Sequence, residues 1–338
     1  MALISQTKPA PSTAAALLRR TGWFFLDNGV FVALVVEVFI FAVLGKEKFW
    51  NPDVLAIILQ ATAGVGMIMP FFTLSMISGI VDFGSAPLSA VVFAVLITGF
   101  KWHWAAALVA SLAMSFIIGT FNNWLVLKVR IPAIVTTMMT GGMLAGVAYV
   151  LSEQFGQANQ IKLIVPALRQ LWLVKPLGLP ITVYIMLFLY IVVYLLLNHT
   201  RMGAHLYAIG ANPDAAMRAG INYSKLFVFV FILLNFMTSI GIILHSVRVM
   251  SAGPFVSPNI SSGAGIGVTL IAALFAGIGL FGGSGRVELT LVGLVFFSVL
   301  VIGMSIVGFP AQFRVAVDGV AILAALLLDS VRRYLSSR

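Results

Sequence analysis

Ile181-Thr182-Val183-Tyr184-Ile185-Met186-Leu187-Phe188-Leu189-Tyr190-Ile191-Val192-Val193-Tyr194-Leu195-Leu196-Leu197 decides the fold. The stretch carries no charge, and only Thr182 and three tyrosines interrupt its aliphatic and aromatic side chains. A helix crosses a bilayer with about 20 mostly apolar residues. A spanning barrel strand would instead alternate apolar and polar over about ten residues. Leu289–Val307 repeats the uncharged, unbroken pattern. Both stretches therefore read as membrane-spanning helices, and the fold class as all-α and polytopic.

Composition extends that reading to the whole chain. Of 338 residues, 61% are hydrophobic and 9% charged, against about 25% charged in soluble domains. So few charges cannot cover a water-facing surface, and the partner this implies is a lipid bilayer. Apolar runs give about ten spans, at 23–44, 54–76, 86–100, 103–122, 132–151, 181–198, 225–246, 263–281, 288–308 and 315–329. The third is short, and so broken or tilted. Residues 1–22 form a polar tail without a clear cleavage signal, 23–329 the membrane domain and 330–338 a second tail.

Placing the N-terminus in the cytoplasm puts twelve of the 20 Lys and Arg residues on the inner side. The positive-inside bias thus favours cytoplasmic N- and C-termini. The same bias accounts for the net charge of +10 without a nucleic-acid partner. No cysteine is present, which excludes disulfides and thiolate chemistry. The four histidines are scattered, with no i, i+4 pair, and suggest neither a metal site nor a catalytic triad.

Two loops stand out. The external loop 152–180 contains amphipathic Leu163–Leu173, with Arg169 and Trp172, suited to lie at an interface. The internal loop 199–224 encodes its own short helix. Asn212 is a good N-cap, and Pro213 suits the first helical position. Asp214 complements the helix N-terminus. Ala215, Ala216 and Ala219 propagate the helix, and Gly220 can end it in the left-handed conformation. Its small side chains let another backbone approach; alternatively, the helix packs on its own bundle.

Here the residues resemble a known family. Ala208 to Ile221 fits A-x-G-x-N-x-x-A-A-x-x-x-G-I, the coupling loop of the permease subunits of ABC importers for ribose and related sugars. Gly79-Ile80-Val81-Asp82-Phe83-Gly84-Ser85-Ala86 resembles that family's G-G-I-D-L-S-x-G. Asn122-Asn123-Trp124-Leu125-Val126-Leu127-Lys128-Val129-Arg130-Ile131-Pro132 resembles its N-G-x-L-v-x-k-x-x-v-P. Ala276–Gly285 resembles its last glycine-rich segment. The resemblance covers roughly 49–333.

It implies a permease subunit that forms half of the pathway for a monosaccharide or related small polar solute. The implied partners are a second permease subunit, ABC ATPase subunits (two copies or one fused) on the internal loops, and a periplasmic substrate-binding protein. The implied localisation is the bacterial inner membrane. Gly210, Asn212, Asp214, Ala215, Ala216, Arg218 and Gly220 would form the ATPase-coupling loop. Asp82, Phe83, Asn122, Thr137, Thr140 and Asn235 would line the pathway. No cofactor is implied on this chain and no enzyme activity. The chain has no G-x-x-x-x-G-K-[ST] phosphate loop.

Departures concentrate on the pathway side. Ile80 replaces a family glycine, Gly84 a serine, and the arginine that usually follows a T-L-G-T segment is absent after Thr140. Ile266 stands near an acidic position, and Asp318 at a basic or polar one. Two other functions stay open. One is an ion-coupled secondary transporter, for which Glu37 and Asp82 are the available carboxylates. The other is a non-translocating half of an unequal permease pair.

Other intramembrane features carry simpler expectations. Glu37 faces a partner subunit or reaches the outer surface. Asn122 and Asn123 close the fourth span as caps or as a gate. Asn235 makes an interhelical hydrogen bond or contacts solute. Gly142 and Gly146 form a small-x-x-x-small pair suited to close helix packing. Gly79-Ile80-x-x-Phe83-Gly84 recurs as Gly277-Ile278-x-x-Phe281-Gly282, a faint internal repeat.

Overall fold

A computed structural model describes residues 29–80, 87–254, 278, 282–310, 316, 317, 320 and 323. The expected spans 263–281 and 315–329 lie almost wholly outside them, as do Asp82, Phe83, Ile266 and Asp318. Within them the chain is mostly helical, with one ribbon of two-residue strands. Five helices are long and apolar enough to cross a membrane, or six if a bent pair counts as one span. This is an all-α polytopic membrane protein.

Helix α1 (Gly29–Phe49) is followed by α2 (Pro52–Gly66), which starts where Asn51 Oδ1 accepts from the Asp53 amide at 3.0 Å. The span expected at 54–76 is not continuous. It breaks after Gly66 and resumes as α3 (Met69–Ile77), bent by 43°. Pro70 explains the break, since its ring clashes with the carbonyl four residues back and supplies no amide proton. Helix α4 (Pro87–Thr98) is short. Helix α5 (Trp104–Trp124) does not stop at Asn122 and Asn123 as expected. It runs on through a π-helical turn, Leu125–Val129, and ends only where Arg130 turns left-handed (φ 66°) ahead of Pro132. Helix α6 (Ala133–Phe155) follows.

The loop 152–180 contributes strand β1 (Ile161–Lys162) and α7 (Pro166–Leu173), the expected amphipathic helix. Helix α8 (Ile181–His199) contains the stretch quoted first. The internal loop folds as α9 (Arg201–Ala211) and α10 (Pro213–Arg218). Helix α11 (Tyr223–Val249), strand β2 (Ser251–Ala252) and α12 (Val287–Val307) complete the described elements.

Lipid tails are as apolar as leucine, so helices in a membrane associate through close packing and small residues. Gly66 of α2 meets the Met186 side chain of α8, Gly241 of α11 meets Ile68, and Gly303 of α12 meets the Phe41 ring of α1. The central core joins α2, α3, α8, α11 and α12 around Met69, Met76, Phe231 and Leu294. A second cluster joins α4, the C-terminal end of α11 and the ribbon around Phe93, Ile161 and Ile243. Large apolar side chains such as Phe39, Met143 and Phe188 stay exposed, as a lipid-facing surface requires.

Loops that alternate crossing assigns to one side are found together. At one end β1 pairs antiparallel with β2, the Trp172 indole donates to the Leu244 carbonyl at 3.2 Å, and Arg248 stacks over Trp172 while donating to the Gln60 carbonyl at 3.1 Å. At the other end the Gly283 amide donates to the Ile77 carbonyl at 2.8 Å, and the Tyr207 hydroxyl to the Gly285 carbonyl at 2.9 Å.

Candidate functional site

The internal loop supplies the first half of the site. Asn212 Oδ1 accepts from the Ala215 amide at 3.0 Å and starts α10. At the far end the Gly220 amide donates to Met217 O at 3.0 Å and the Ile221 amide to Ala216 O at 3.1 Å, with Gly220 at φ +85°. That pair of bonds is a Schellman closure, which consumes the last free carbonyls. Asp214 lies in the first turn and Arg218 in the last, each matching the helix dipole. Of the residues from Asn212 to Gly220, Ala216 alone is buried, at 4% exposure. The helix is a projecting knob, not one packed along its bundle.

The knob stands on a stalk that the sequence reading missed. Helix α9 begins at Thr200, whose hydroxyl oxygen accepts from the Gly203 amide at 3.2 Å. It is anchored by fully buried Leu206 and Ile209. Met202, Leu206 and Ile209 have helical spacing, and that was the available signal. Gly203 lies against the carbonyls of Leu196 and Leu197. Gly210 lies against the Ile77 carbonyl and the Gly283 amide, so a Cβ there would overlap both.

The second half of the site is a polar lane between α5 and α11. These helices run antiparallel, with Ser115 opposite Ser239 and Gly119 opposite Asn235. Ser115 and Ser239 Oγ are 2.6 Å apart. Ser89 of α4 closes the triangle at 2.8 Å to Ser115 and 2.9 Å to Ser239. One helical turn inward from Gly119, Asn122 and Asn123 are buried at 0% and 4% exposure, and their side-chain amides make no hydrogen bond. They do not cap the helix, because the helix continues past them. Leaving such a group unsatisfied costs about 1–3 kcal/mol.

The remaining candidates divide. Asn235 is buried against Gly119 and donates to the Phe231 carbonyl at 2.9 Å, so it belongs to the lane. Thr137 and Thr140 are buried on α6, which packs chiefly on α4. Their hydroxyls donate within their own helix, Thr137 to Ile134 O at 3.2 Å and Thr140 to Thr136 O at 2.9 Å. Glu37 does not reach the outer surface; it is buried, and neither carboxylate oxygen is hydrogen-bonded. Gly142 and Gly146 pack on no other helix among the described residues, since a Cβ at either would meet open space. Among the described residues no three His, Asp or Glu side chains converge into a metal site.

The faint repeat has a spatial counterpart. Ile80 and Ile278 hold equivalent repeat positions and are buried in the same core. A Cβ on Gly282 would lie 2.7 Å from the Gly79 amide nitrogen. The two glycine turns therefore meet.

Comparison with known proteins identifies the family. Residues 54–326 match the family described as branched-chain amino acid transport system / permease component. The chain is 28% identical over 313 residues to the ribose import permease protein RbsC of Escherichia coli strain K12, covering 92% of this chain and 95% of that one. It is 25% identical over 305 residues to the fructose import permease protein FrcC of Rhizobium meliloti, covering 88% and 83%. It is 25% identical over 309 residues to the D-allose transport system permease protein AlsC of Escherichia coli strain K12, covering 90% and 92%. No solved structure gives a significant match. With a helical membrane fold and a family match over most of its length, the chain belongs to the permease components of the branched-chain amino acid transport system family.

Proposed function

We propose that this chain is the membrane-spanning permease subunit of an ATP-driven importer for a monosaccharide or a related small polar solute. One observation carries the reading: α10 projects from the inner end with its caps satisfied and its small side chains exposed, on a stalk fixed to the core. Such a knob suits a groove on a separate ATPase subunit, and hydrolysis belongs to that subunit. The names of the three relatives point to sugars as the solute class. The chain would act with a second permease subunit and a periplasmic binding protein in the bacterial inner membrane. Ten crossings with both termini in the cytoplasm fit the charge distribution.

The polar lane supplies chemistry for such a solute. The Asn122 and Asn123 amides offer donors and acceptors that sugar hydroxyls can satisfy. Asp82 and Phe83, in a segment that the resemblance links to the pathway, complete the candidate lining.

The test is reconstitution of the chain with the ATPase and binding protein encoded beside it. Uptake of labelled ribose, fructose, allose and arabinose is then measured with ATP inside the vesicles. ATP-dependent uptake of one sugar supports the reading. Uptake by the chain alone on a proton or sodium gradient, without ATP, would favour an ion-coupled carrier instead.

A further inference from the structure

Three stretches of bare backbone meet at the inner end. The Gly283 amide donates to the Ile77 carbonyl, and Gly210 of α9 lies directly on that bond, close to both partners. A Cβ on Gly283 would lie 2.6 Å from Ala211 Cα, and one on Gly282 2.7 Å from the Gly79 nitrogen. Gly282 and Gly283 also hold positive φ angles of 84° and 78°, which L side chains resist. Among the described residues these backbones approach closely enough that little side chain can absorb a displacement. Contacts of this kind are bistable rather than continuously deformable.

The stalk leads straight into this junction. Tyr207, Gly210 and Ala211 share one face of α9 by their i, i+3, i+4 spacing. Asn212, the cap of α10, follows at once. Tyr207 adds a hydrogen bond from its hydroxyl to the Gly285 carbonyl at 2.9 Å. Burial, and secondarily the negative charge of Glu288, raises the Tyr207 hydroxyl above the usual tyrosine range, so it remains a donor at neutral pH. On the far side, Ile80 leads in sequence into the segment with Asp82 and Phe83.

We infer that Gly210 and Tyr207 are positioning residues that transmit the nucleotide state of the docked ATPase from α10 to the two glycine turns. This rests on the proposed docking role of α10. Neither residue touches solute or nucleotide in this scheme; both act through the backbone at Gly79 and Gly282–Gly285.

The experiment exploits the absence of cysteine. Ser284, exposed in the second turn, is replaced as Ser284→Cys in the full complex with its ATPase. Its maleimide labelling rate is measured with and without AMP-PNP. The expected result is a nucleotide-dependent change of about fivefold, the lower scale of an allosteric coupling. Adding Tyr207→Phe should abolish most of that change while ATPase binding persists, and Gly210→Ala should abolish it as well. Tyr207→Phe removes one hydrogen bond and adds no atoms, so it decides the matter if Gly210→Ala does not fold. An undiminished nucleotide response in the Tyr207→Phe complex, or no response in the Ser284→Cys parent despite bound ATPase, overturns the inference. Failure of the parent to bind the ATPase overturns the docking role itself, a distinguishable result.

Discussion

Helix α10 and the asparagine pair of α5 treat polar groups in opposite ways. Helix α10 is exposed, yet both of its ends are closed by Asn212 and by the turn at Gly220. Asn122 and Asn123 are buried, where satisfaction matters most, and their amides are unsatisfied. The first arrangement fixes a shape before any partner arrives, which lowers the ordering cost of docking. The second retains unmet hydrogen-bonding capacity inside the molecule, at a cost in stability.

That contrast can be broken most forcefully at α10. Ala216→Pro should cost about 3 kcal/mol of helix stability. In a pull-down it should remove nearly all ATPase association while leaving the chain inserted in the membrane. Retained association would mean that the knob's preformed shape is irrelevant.

The asparagines give the next largest effect, with opposite sign for stability. Asn122→Leu removes an unsatisfied buried amide and should stabilise the purified chain by about 1–3 kcal/mol, read as a raised thermal midpoint, while slowing sugar uptake. A lowered midpoint with unchanged uptake would make the lane ordinary packing.

Smaller changes sharpen the comparison. Asn212→Ala should weaken the cap by about 1 kcal/mol, so ATPase affinity should fall about fivefold in a binding titration, with stability of the membrane core unaffected. Ser239→Ala breaks two sides of the satisfied serine triangle. It should cost only about 1 kcal/mol in thermal stability, since one interhelical hydrogen bond in a membrane averages about 0.6 kcal/mol. A much larger loss would place the serines, not the asparagines, at the sensitive part of the lane.

The sequence made the long uncharged helices legible because lipid leaves so few choices. The stretch from Ile181 became α8 and that from Leu289 became α12, each within a residue or two. Helix α10 was legible because Asn212, Pro213 and Gly220 each act locally. The misreadings share a cause, which is that the deciding partner is distant in sequence or the stop signal was taken too early. Asn122-Asn123 looked like a terminus, but the effective stops are Arg130 and Pro132. Helix α9 was hidden because Gly203 and Gly210 look like helix breakers; they are glycines because carbonyls of Leu197 and Ile77 press against them. The bend between α2 and α3 was signalled by Pro70, whose effect an apolar-run count overlooks. Gly142 and Gly146 followed a packing pattern, but none of the described residues faces them. The meeting of the two glycine turns was foreshadowed by a six-position repeat too short to imply contact.

The pairing of α1 with α12 has a consequence for synthesis. Helix α1 packs chiefly on α12, with Gly303 against the Phe41 ring and Gly45 beside Ile306. Its partner lies more than two hundred residues downstream, which at ordinary elongation rates is a delay of roughly 10–50 s. Throughout that interval Glu37, buried in the folded chain, lacks its final surroundings, and a carboxyl group at mid-helix costs about 2.5–3.5 kcal/mol on insertion scales. A helix made early is therefore among the last to find its place, and other surroundings must accommodate its acid until then.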